Sequence, residues 1–253
     1  MNNHTPVADA PLFDTCVGCR IREHAICKPV FNGSSCVMEN LKAGDRIVTA
    51  GADLFVQGEP LREVFTVVTG WVMIYQLLED GRRQITRIAL PGDFIGFQPD
   101  MELPMDRSAQ ALTDCRLCVF SKERLLELFR EEPAYGMRLI WIISEENALA
   151  RELVTSLGRR SARERIGHFL LSLYARVRTR CGEPVGETIP LPLTQEHLGD
   201  ALGLTSVHVN RTLRALKADG LIEITNRKLH ILDPDRLAEL RGFEPLTENR
   251  SMP

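Results

Sequence analysis

The sequence has no long hydrophobic run, since no stretch reaches the roughly 18 apolar residues that a membrane-spanning helix requires. Its first residues, MNNHTPVADAPLFD, lack the basic start and the apolar stretch of a secretory signal peptide. A chain of 253 residues, 44% of them hydrophobic, can bury a core for one or two domains without structural staples. We therefore expect a cytoplasmic protein.

Histidine is absent between residues 41 and 120, and this absence bears on enzyme function. A cupin-like metalloenzyme would need a histidine-rich metal site inside such a β-rich stretch. We therefore predict that the protein is not an enzyme. A sensor that binds haem or a small metabolite through this stretch is the alternative.

Disulfide frameworks are rare in a reducing cytoplasm, so the seven cysteines need another explanation. Three of them, Cys16, Cys19 and Cys27, lie within the sixteen residues TCVGCRIREHAICKPV. Clustered cysteines in this setting are typical of metal ligands or redox groups. Cys36 and Cys181 stand alone and are assigned to packing or to the surface, although Cys36 is close enough in sequence to be a rival ligand.

The net charge of −3 conceals a basic segment. Residues 156–231 carry 12 basic and 7 acidic residues, which leaves 19 basic and 27 acidic residues for the rest of the chain. Basic charge gathered in one segment is typical of a module that binds a polyanion. A solvated helical surface would show the same pattern, so charge alone leaves both interpretations open.

Short apolar runs broken by turn signals such as Asp80-Gly81 and Pro91-Gly92-Asp93 predict an antiparallel sandwich or barrel over residues 41–120. From Ser121 the pattern becomes helical, with a short helix that stops near Pro133 and a longer one over 134–157. We predict an α+β chain with five parts. They are a sensory segment, a β-roll (an antiparallel β-sandwich or jelly roll), a dimerisation helix, a winged helix-turn-helix domain and a tail, at residues 1–36, 37–132, 133–158, 159–240 and 241–253.

Within the long helix one set of residues recurs at alternating steps of three and four, the spacing of a two-stranded coiled-coil seam. Asn147 is its polar member, and a polar residue at such a position commonly fixes register in a homodimer. A helix packed on its own domain is the alternative. The predicted dimer interface comprises Ile140, Ile143, Asn147, Ala150, Val154 and Leu157.

The strongest motif is LTQEHLGDALGLTSVHVNRTLRALKADGLI, residues 193–222. Thr194 is placed to cap a first helix, Gly203 supplies the turn, and Thr205 caps a second helix. Before the motif, TRCGEPVGETIPLP predicts a loop, and after it LIEITNRKLHILD predicts a small hairpin. Together these elements predict a helix-turn-helix domain.

The second helix of this motif has two faces. Val209, Leu213 and Leu216 form an apolar face, whereas the opposite face carries Asn and Arg side chains that suit adenine and guanine edges in a major groove. Similar helix pairs occur in proteins that bind no DNA, but the basic segment and the hairpin favour double-stranded DNA as the partner. The predicted DNA-contacting residues are Thr205, Ser206, Val207, His208, Asn210, Arg211 and Arg214.

These features follow the order of a known family. LKAGDRIVTAG, GDFIGF, SLGRRSARERI and the helix-turn-helix resemble the Crp/Fnr superfamily, that of the cyclic-AMP receptor protein and the fumarate-and-nitrate-reduction regulator. The resemblance covers nearly the whole chain. It implies a homodimeric transcription regulator whose β-roll controls two recognition helices on a palindromic promoter site, and which recruits or blocks RNA polymerase.

Within that superfamily, CVGCRIREHAIC resembles the cysteine cluster of alphaproteobacterial members of the oxygen-sensing branch, which take a fourth ligand from the end of the sheet domain. Cys115 and Cys118 lie there, and residues three apart on a strand point to opposite sides. Cys115 shares its side with Leu117 and Val119, which indicates the core, whereas Cys118 matches the position of the family ligand. The resemblance thus implies a [4Fe–4S] cluster on Cys16, Cys19, Cys27 and Cys118.

Zinc, thiol redox chemistry and a purely structural set of cysteines are the alternatives to a cluster. The mechanism that the resemblance implies is control of dimerisation by oxygen. The cluster would hold residues 15–30 on the sheet domain beside the long helix and favour the dimer, which places two recognition helices about one DNA turn apart. Oxygen would degrade the cluster and release this constraint.

Four positions depart from the family patterns, one of which is Asn210 in place of the usual serine of the oxygen-sensing branch. Phe97 replaces the glutamate of cyclic-AMP binders, although Arg107-Ser108 is present, so cyclic-nucleotide binding is the runner-up at best. Val207 stands where the oxygen-sensing branch has a glutamate that contacts cytosine, so the DNA half-site is expected to differ. Ala150 replaces a charge-repelling aspartate, so the monomer is expected to be less favoured in air.

Overall fold

The computed structural model describes residues 16–28, 40–98, 100, 102–180 and 188–240. Its N-terminal domain is a sandwich of antiparallel strands, as predicted. The strands are β1 (Lys42–Val48), β2 (Asp53–Phe55), β3 (Glu63–Thr69), β4 (Val72–Leu77), β5 (Arg83–Ala89), β6 (Phe94–Ile95), β7 (Ser108–Ala111) and β8 (Cys115–Ser121). They form two four-stranded sheets, in the orders β1-β8-β3-β6 and β2-β7-β4-β5.

Strand β8 has apolar side chains on both sides because it separates two apolar clusters. Cys115 and Leu117, 2% and 0% exposed, point into the core between the two sheets. Cys118 and Phe120 lie on the outer side of the sheet, in a second cluster with the helices that follow. The alternation expected of a strand therefore separates the two cysteines.

Helices and a small three-stranded sheet make up the rest of the described chain. The helices are α1 (Lys122–Glu131), α2 (Pro133–Arg159), α3 (Ala162–Arg180), α4 (Gln195–Leu202), α5 (Ser206–Ala218) and α6 (Pro234–Glu239), and the strands are β9 (Thr188–Pro190), β10 (Ile222–Thr225) and β11 (Lys228–Ile231). Helix α2 has 27 residues and a length of about 40 Å. None of the helices in the described ranges is both long and apolar enough to cross a membrane.

The boundaries of α1 and α2 follow from proline chemistry. Pro133 occupies the first turn of α2, where its missing N–H leaves no hydrogen bond unmade, and α1 ends just before it. At the start of α3, Ser161 Oγ accepts a hydrogen bond from Glu164 N–H at 3.4 Å, and Ser161 N–H donates to the Glu164 carboxylate at 2.7 Å, which makes a capping box. Local sequence rules thus set the helix starts.

One predicted loop is wrong in part. The segment TRCGEPVGETIPLP contains the end of α3 and the strand β9, while residues 181–187 lie outside the described residues. Strand β9 forms because Ile189, 0% exposed, pairs with Leu229 of β11 and fills the domain core. The hairpin of β10 and β11 is present as predicted, and helix α6 was not predicted.

A buried carboxylate joins the sandwich to the helix-turn-helix domain. Asp93, 4% exposed, pairs with Arg87 of β5 at 3.1 Å, with Arg176 of α3 at 3.0 Å and with Arg180 of α3. It also accepts a hydrogen bond from Leu90 N–H at 2.8 Å. Burial raises the pKa of this carboxyl, but the arginines and the N–H outweigh burial and hold the pKa of Asp93 far below its usual range.

Further contacts extend this junction. Arg87 also pairs with Glu146 of α2, and Arg83 of β5 pairs with Asp200 of α4 at 2.8 Å. Around them, one apolar cluster combines Met73 and other residues of the sandwich with side chains of α3 and α4. The helix-turn-helix domain is therefore held by buried ion pairs and apolar packing as well as by the chain connection through α2.

Asp93→Asn should weaken this junction, because it leaves three arginines without their shared counter-charge. We expect urea denaturation at pH 7 to show a loss of about 3–5 kcal/mol, as is typical when one partner of a buried pair is removed. The folded-state pKa of Asp93 is depressed, so its contribution is present above the unfolded pKa of about 3.9 and is lost as the pH falls towards the folded value. The wild type should therefore lose stability below about pH 4 more steeply than the variant.

Asp106→Asn is the matched control, since it removes an exposed carboxylate that also pairs with an arginine. It should leave the urea midpoint unchanged. Equal midpoints for the wild type and Asp93→Asn would contradict the structural role given to Asp93.

Candidate DNA-binding face and thiol cluster

Helix α5 presents the predicted DNA-contacting residues on an open face. Thr205 caps the helix, since its Oγ1 accepts a hydrogen bond from His208 N–H at 3.3 Å. Val209 and Leu216, both 0% exposed, fix the opposite side of the helix in the domain core. Of the seven predicted residues, those exposed are Thr205, Ser206, Val207, Arg211 and Arg214, and those partly exposed are His208 and Asn210.

Helix α4 and the turn that follows it pack against α5. Thr194 Oγ1 accepts a hydrogen bond from His197 N–H at 3.1 Å, and His197 Nδ1 accepts one from Thr194 N–H at 3.3 Å. This capping box gives His197 a role that the sequence did not reveal. Gly203 ends α4 with φ +63°, a conformation that other residues rarely adopt, as the predicted turn requires.

Most of the predicted dimer seam is exposed along one side of α2. Ile140, Ile143 and Val154 are 57%, 43% and 69% exposed, and Asn147 and Ala150 are exposed with them. A line of exposed branched apolar side chains on one helix is typical of a surface that a partner covers.

The two ends of the seam differ from the prediction. Leu157 is partly buried and lies against the turn at Gly203, within its own chain. Met137, 55% exposed and three residues before Ile140, extends the seam at the other end. Its step of three to Ile140, followed by another step of three to Ile143, breaks the alternation of threes and fours, so the seam spacing did not include it.

The cysteine segment packs on the outer face of the sheet that contains β8. Residues 16–28 form a short 3₁₀ turn at Cys16–Gly18 and then a series of turns. Ile26, 0% exposed, buries the segment against α1 and the start of α2. The four predicted ligand residues all belong to this apolar cluster, with one buried and three partly buried: Cys27, and Cys16, Cys19 and Cys118.

The turn before Asp93 makes close contact with this segment. Gly92 has φ +92°, and a Cβ added there would lie 3.0 Å from Cβ of His24. A larger residue would therefore push the segment away from the sandwich. The turn contacts the cysteine segment on one side and, through Asp93, the arginines of α3 on the other.

Burial dominates the electrostatics of Cys118 and raises the pKa of its thiol to about 12. The ammonium group of Lys42 lowers this pKa, whereas the Asp45 carboxylate and the thiols of Cys19 and Cys16 raise it. The thiols of Cys16 and Cys19 thus lie within electrostatic range of Cys118. Lys42 supplies a cation beside them that favours the thiolate form.

The donor set fits an iron–sulfur cluster in its chemistry. Four thiols are soft donors of the kind that iron–sulfur clusters and zinc prefer. Across the described ranges no group of three or more His, Cys, Asp or Glu side chains is arranged to hold a single metal ion. Cys36 and Cys181 lie outside the described residues.

The region around Phe97 is poorly suited to a nucleotide. A cavity of about 70 Å³ lies there between the sandwich and α2, whereas ligand pockets usually measure roughly 300–1,000 Å³. Arg107 donates to the Phe97 carbonyl at 3.1 Å, and Ser108 Oγ accepts from Gln57 N–H at 2.9 Å. These polar groups are therefore already used within the protein.

Comparison with known proteins agrees with this architecture. The sandwich matches the model of the cyclic nucleotide-binding domain over residues 45–132, and the C-terminal domain matches the Crp-like helix-turn-helix domain over residues 164–240. The transcriptional activator protein FnrL of Cereibacter sphaeroides is 35% identical over 90% of this chain and 92% of its own. The chain belongs to the Crp/Fnr family. It is thus a DNA-binding transcription regulator of Crp/Fnr type, and its relatives are transcription regulators.

Two other similar proteins are informative. The anaerobic regulatory protein of Pasteurella multocida is 28% identical over 81% of this chain and 74% of its own. The solved structure of FixK2 from Bradyrhizobium japonicum superposes with a TM-score of 0.72 at 28% identity, and covers 79% of this chain and 98% of its own. The same arrangement of sandwich, long helix and helix-turn-helix is therefore found in a solved member of the Crp/Fnr family.

Arg211→Ala should weaken binding to a DNA site selected from a random pool by about 1–3 kcal/mol and relax the preference at one base pair, because it removes a fork of donors from the open face of α5. Fluorescence anisotropy with the selected site and its single-base variants measures both effects. Arg236→Ala on α6, 59% exposed at its side chain, is the control and should bind like the wild type. Unchanged affinity and base preference in Arg211→Ala would exclude a base contact by Arg211.

Proposed function

We propose that this protein is a cytoplasmic, oxygen-responsive transcription regulator that works as a homodimer on palindromic DNA. In this proposal Cys16, Cys19, Cys27 and Cys118 hold a [4Fe–4S] cluster. The observation that carries the proposal is that the four cysteines, from two distant parts of the chain, share one apolar cluster with the start of α2. The name of the Pasteurella multocida relative, an anaerobic regulatory protein, supports a response to oxygen.

A [4Fe–4S] cluster bound by these thiolates would supply an oxygen-labile centre with redox chemistry that zinc lacks. The contacts of the cysteine segment with α2 link the position of the segment to the stability of that helix. Ile26 of the segment shares one apolar cluster with Leu139 and Ile142, which lie on the inward side of α2. An ordered segment therefore stabilises the first turns of that helix.

The same turns carry the start of the dimer seam on their outward side. Ile140 and Ile143 are exposed there, next in sequence to the buried Leu139 and Ile142. A second copy of α2 would cover these residues, and the dimer would place two copies of α5 on half-sites about one helical turn of DNA apart. RNA polymerase is the proposed partner of the DNA-bound dimer, and the FnrL relative's name supports activation.

Cys118→Ser tests the proposal, with Cys115→Ser as the matched control on the opposite side of the same strand. Protein purified without oxygen should contain about four irons per chain and absorb broadly in the visible range. Cys118→Ser should lose most of this iron, because it removes one of four ligands. Cys115→Ser should keep it, because the Cys115 thiol lies in the sandwich core, and a serine hydroxyl can donate in its place to the carbonyls of Trp71 and Thr113.

Iron and zinc are determined by elemental analysis, and the cluster by its absorption spectrum. Iron lost from both variants or from neither would contradict the ligand assignment. Zinc in place of iron in the wild type would identify a permanent structural site and overturn the response to oxygen.

A further inference from the structure

Arg138 is buried where the cysteine segment meets α2. Its side chain is 3% exposed, and its Nε donates a hydrogen bond to the carbonyl oxygen of Ala25 at 3.2 Å. The guanidinium also lies over the ring of Trp141, 4.4 Å from the ring centroid. One residue of α2 therefore binds the backbone of the cysteine segment two residues before Cys27.

The guanidinium has donor capacity that these contacts leave unused. Its Nη2 is buried and has no hydrogen-bond partner in the described part of the chain. Burial and the guanidinium of Arg180 oppose the charged form of Arg138. Nearby negative groups favour it, namely Glu145 of α2 and Cys27 and Glu23 of the cysteine segment. A buried cation with a spare donor is suited to a further anionic partner, and hydrogen bonds to charged groups are the stronger kind.

The surroundings of Arg138 explain why its charge matters. The cluster around it is apolar, with Ile26, Leu139 and Ile142 among its members. An incompletely paired charge is costly in such a place, because the protein replaces only part of the hydration that the guanidinium loses. A negative charge on the segment would offset this cost and would suit the unused Nη2 donor.

We propose that Arg138 is a positioning residue that couples the charge state of the cysteine segment to dimerisation through α2. Its hydrogen bond to Ala25 and its charge beside Cys27 join the segment to the first turns of the helix. Met137 and Ile140, which flank these contacts, belong to the exposed seam. The inference rests on the proposed function, because it requires a segment whose negative charge depends on what its thiols bind.

The test measures the dimer dissociation constant of the full chain by analytical ultracentrifugation, in anaerobic iron-loaded protein and after iron removal. For the wild type the two constants should differ by at least about tenfold, a typical coupling between two sites. Arg138→Met keeps the apolar stem and removes the charge, so its ratio should approach 1 while its iron content stays at the wild-type level. Arg138→Lys keeps the charge and should give an intermediate ratio.

Arg124→Met is the control, because Arg124 is an exposed arginine on the neighbouring helix α1, and it should keep the wild-type ratio. Hydrogen exchange on the iron-free proteins gives a readout that needs no cluster. The amides of residues 21–28 should exchange faster in Arg138→Met than in the wild type or in Arg124→Met. This effect follows from the lost hydrogen bond to Ala25 alone.

The outcomes separate the two proposals. A wild type that binds no iron overturns the proposed function and the coupling role with it, while the exchange rates still report on the contact between Arg138 and Ala25. An iron-loaded wild type with the expected ratio, together with the same ratio in Arg138→Met, overturns the coupling role alone. If Arg138→Met does not fold, Arg138→Lys takes its place, and an undiminished ratio in that variant overturns the coupling role.

Discussion

The contact between the cysteine segment and helix α2 is the interaction on which the proposed control of the protein depends. Ala25 and Ile26, both 0% exposed, fill the space between the helices and the outer face of the sheet. Burial of apolar surface is the main stabilising force available to such a short segment without regular structure. Helix α2 has two apolar sides, one covered by this segment and the other exposed as the seam. In the proposed function, ordering of the segment favours the dimer through this helix.

A second consequence concerns the helix-turn-helix domain. The turn that contains Gly92 and Asp93 contacts His24 of the segment and the buried arginines of α3. Phe94, the next residue, lies in the same apolar cluster as the cysteines. These groups form a continuous series of packed contacts from the thiols to the DNA-binding domain. Packed contacts of this kind can carry coupling between the thiols and the DNA-binding domain. Coupling is demonstrated when the state of one site is measured to change binding at the other.

Local sequence patterns predicted much of this structure. Features that depend on pairing between distant residues were not predicted. Alternation in β8 separated Cys115 from Cys118, and capping residues marked the starts of α4 and α5, because these rules act within a few residues. The short strand β9 was missed because its order comes from pairing with β11, which periodicity does not report. Arg138 gave no sequence signal at all, since its partner Ala25 is 113 residues away. The resemblance to a family pointed to the four cysteines, and the fold brings them into one cluster.

The most direct test of the central claim is the native mass of the wild-type chain, measured without oxygen and again after exposure to air, with iron determined in both samples. The account predicts an iron-containing species at twice the chain mass of 28.5 kDa without oxygen. After air, iron should be lost and the share of that species should fall. A colourless protein whose mass and metal content are the same in both samples would contradict the account.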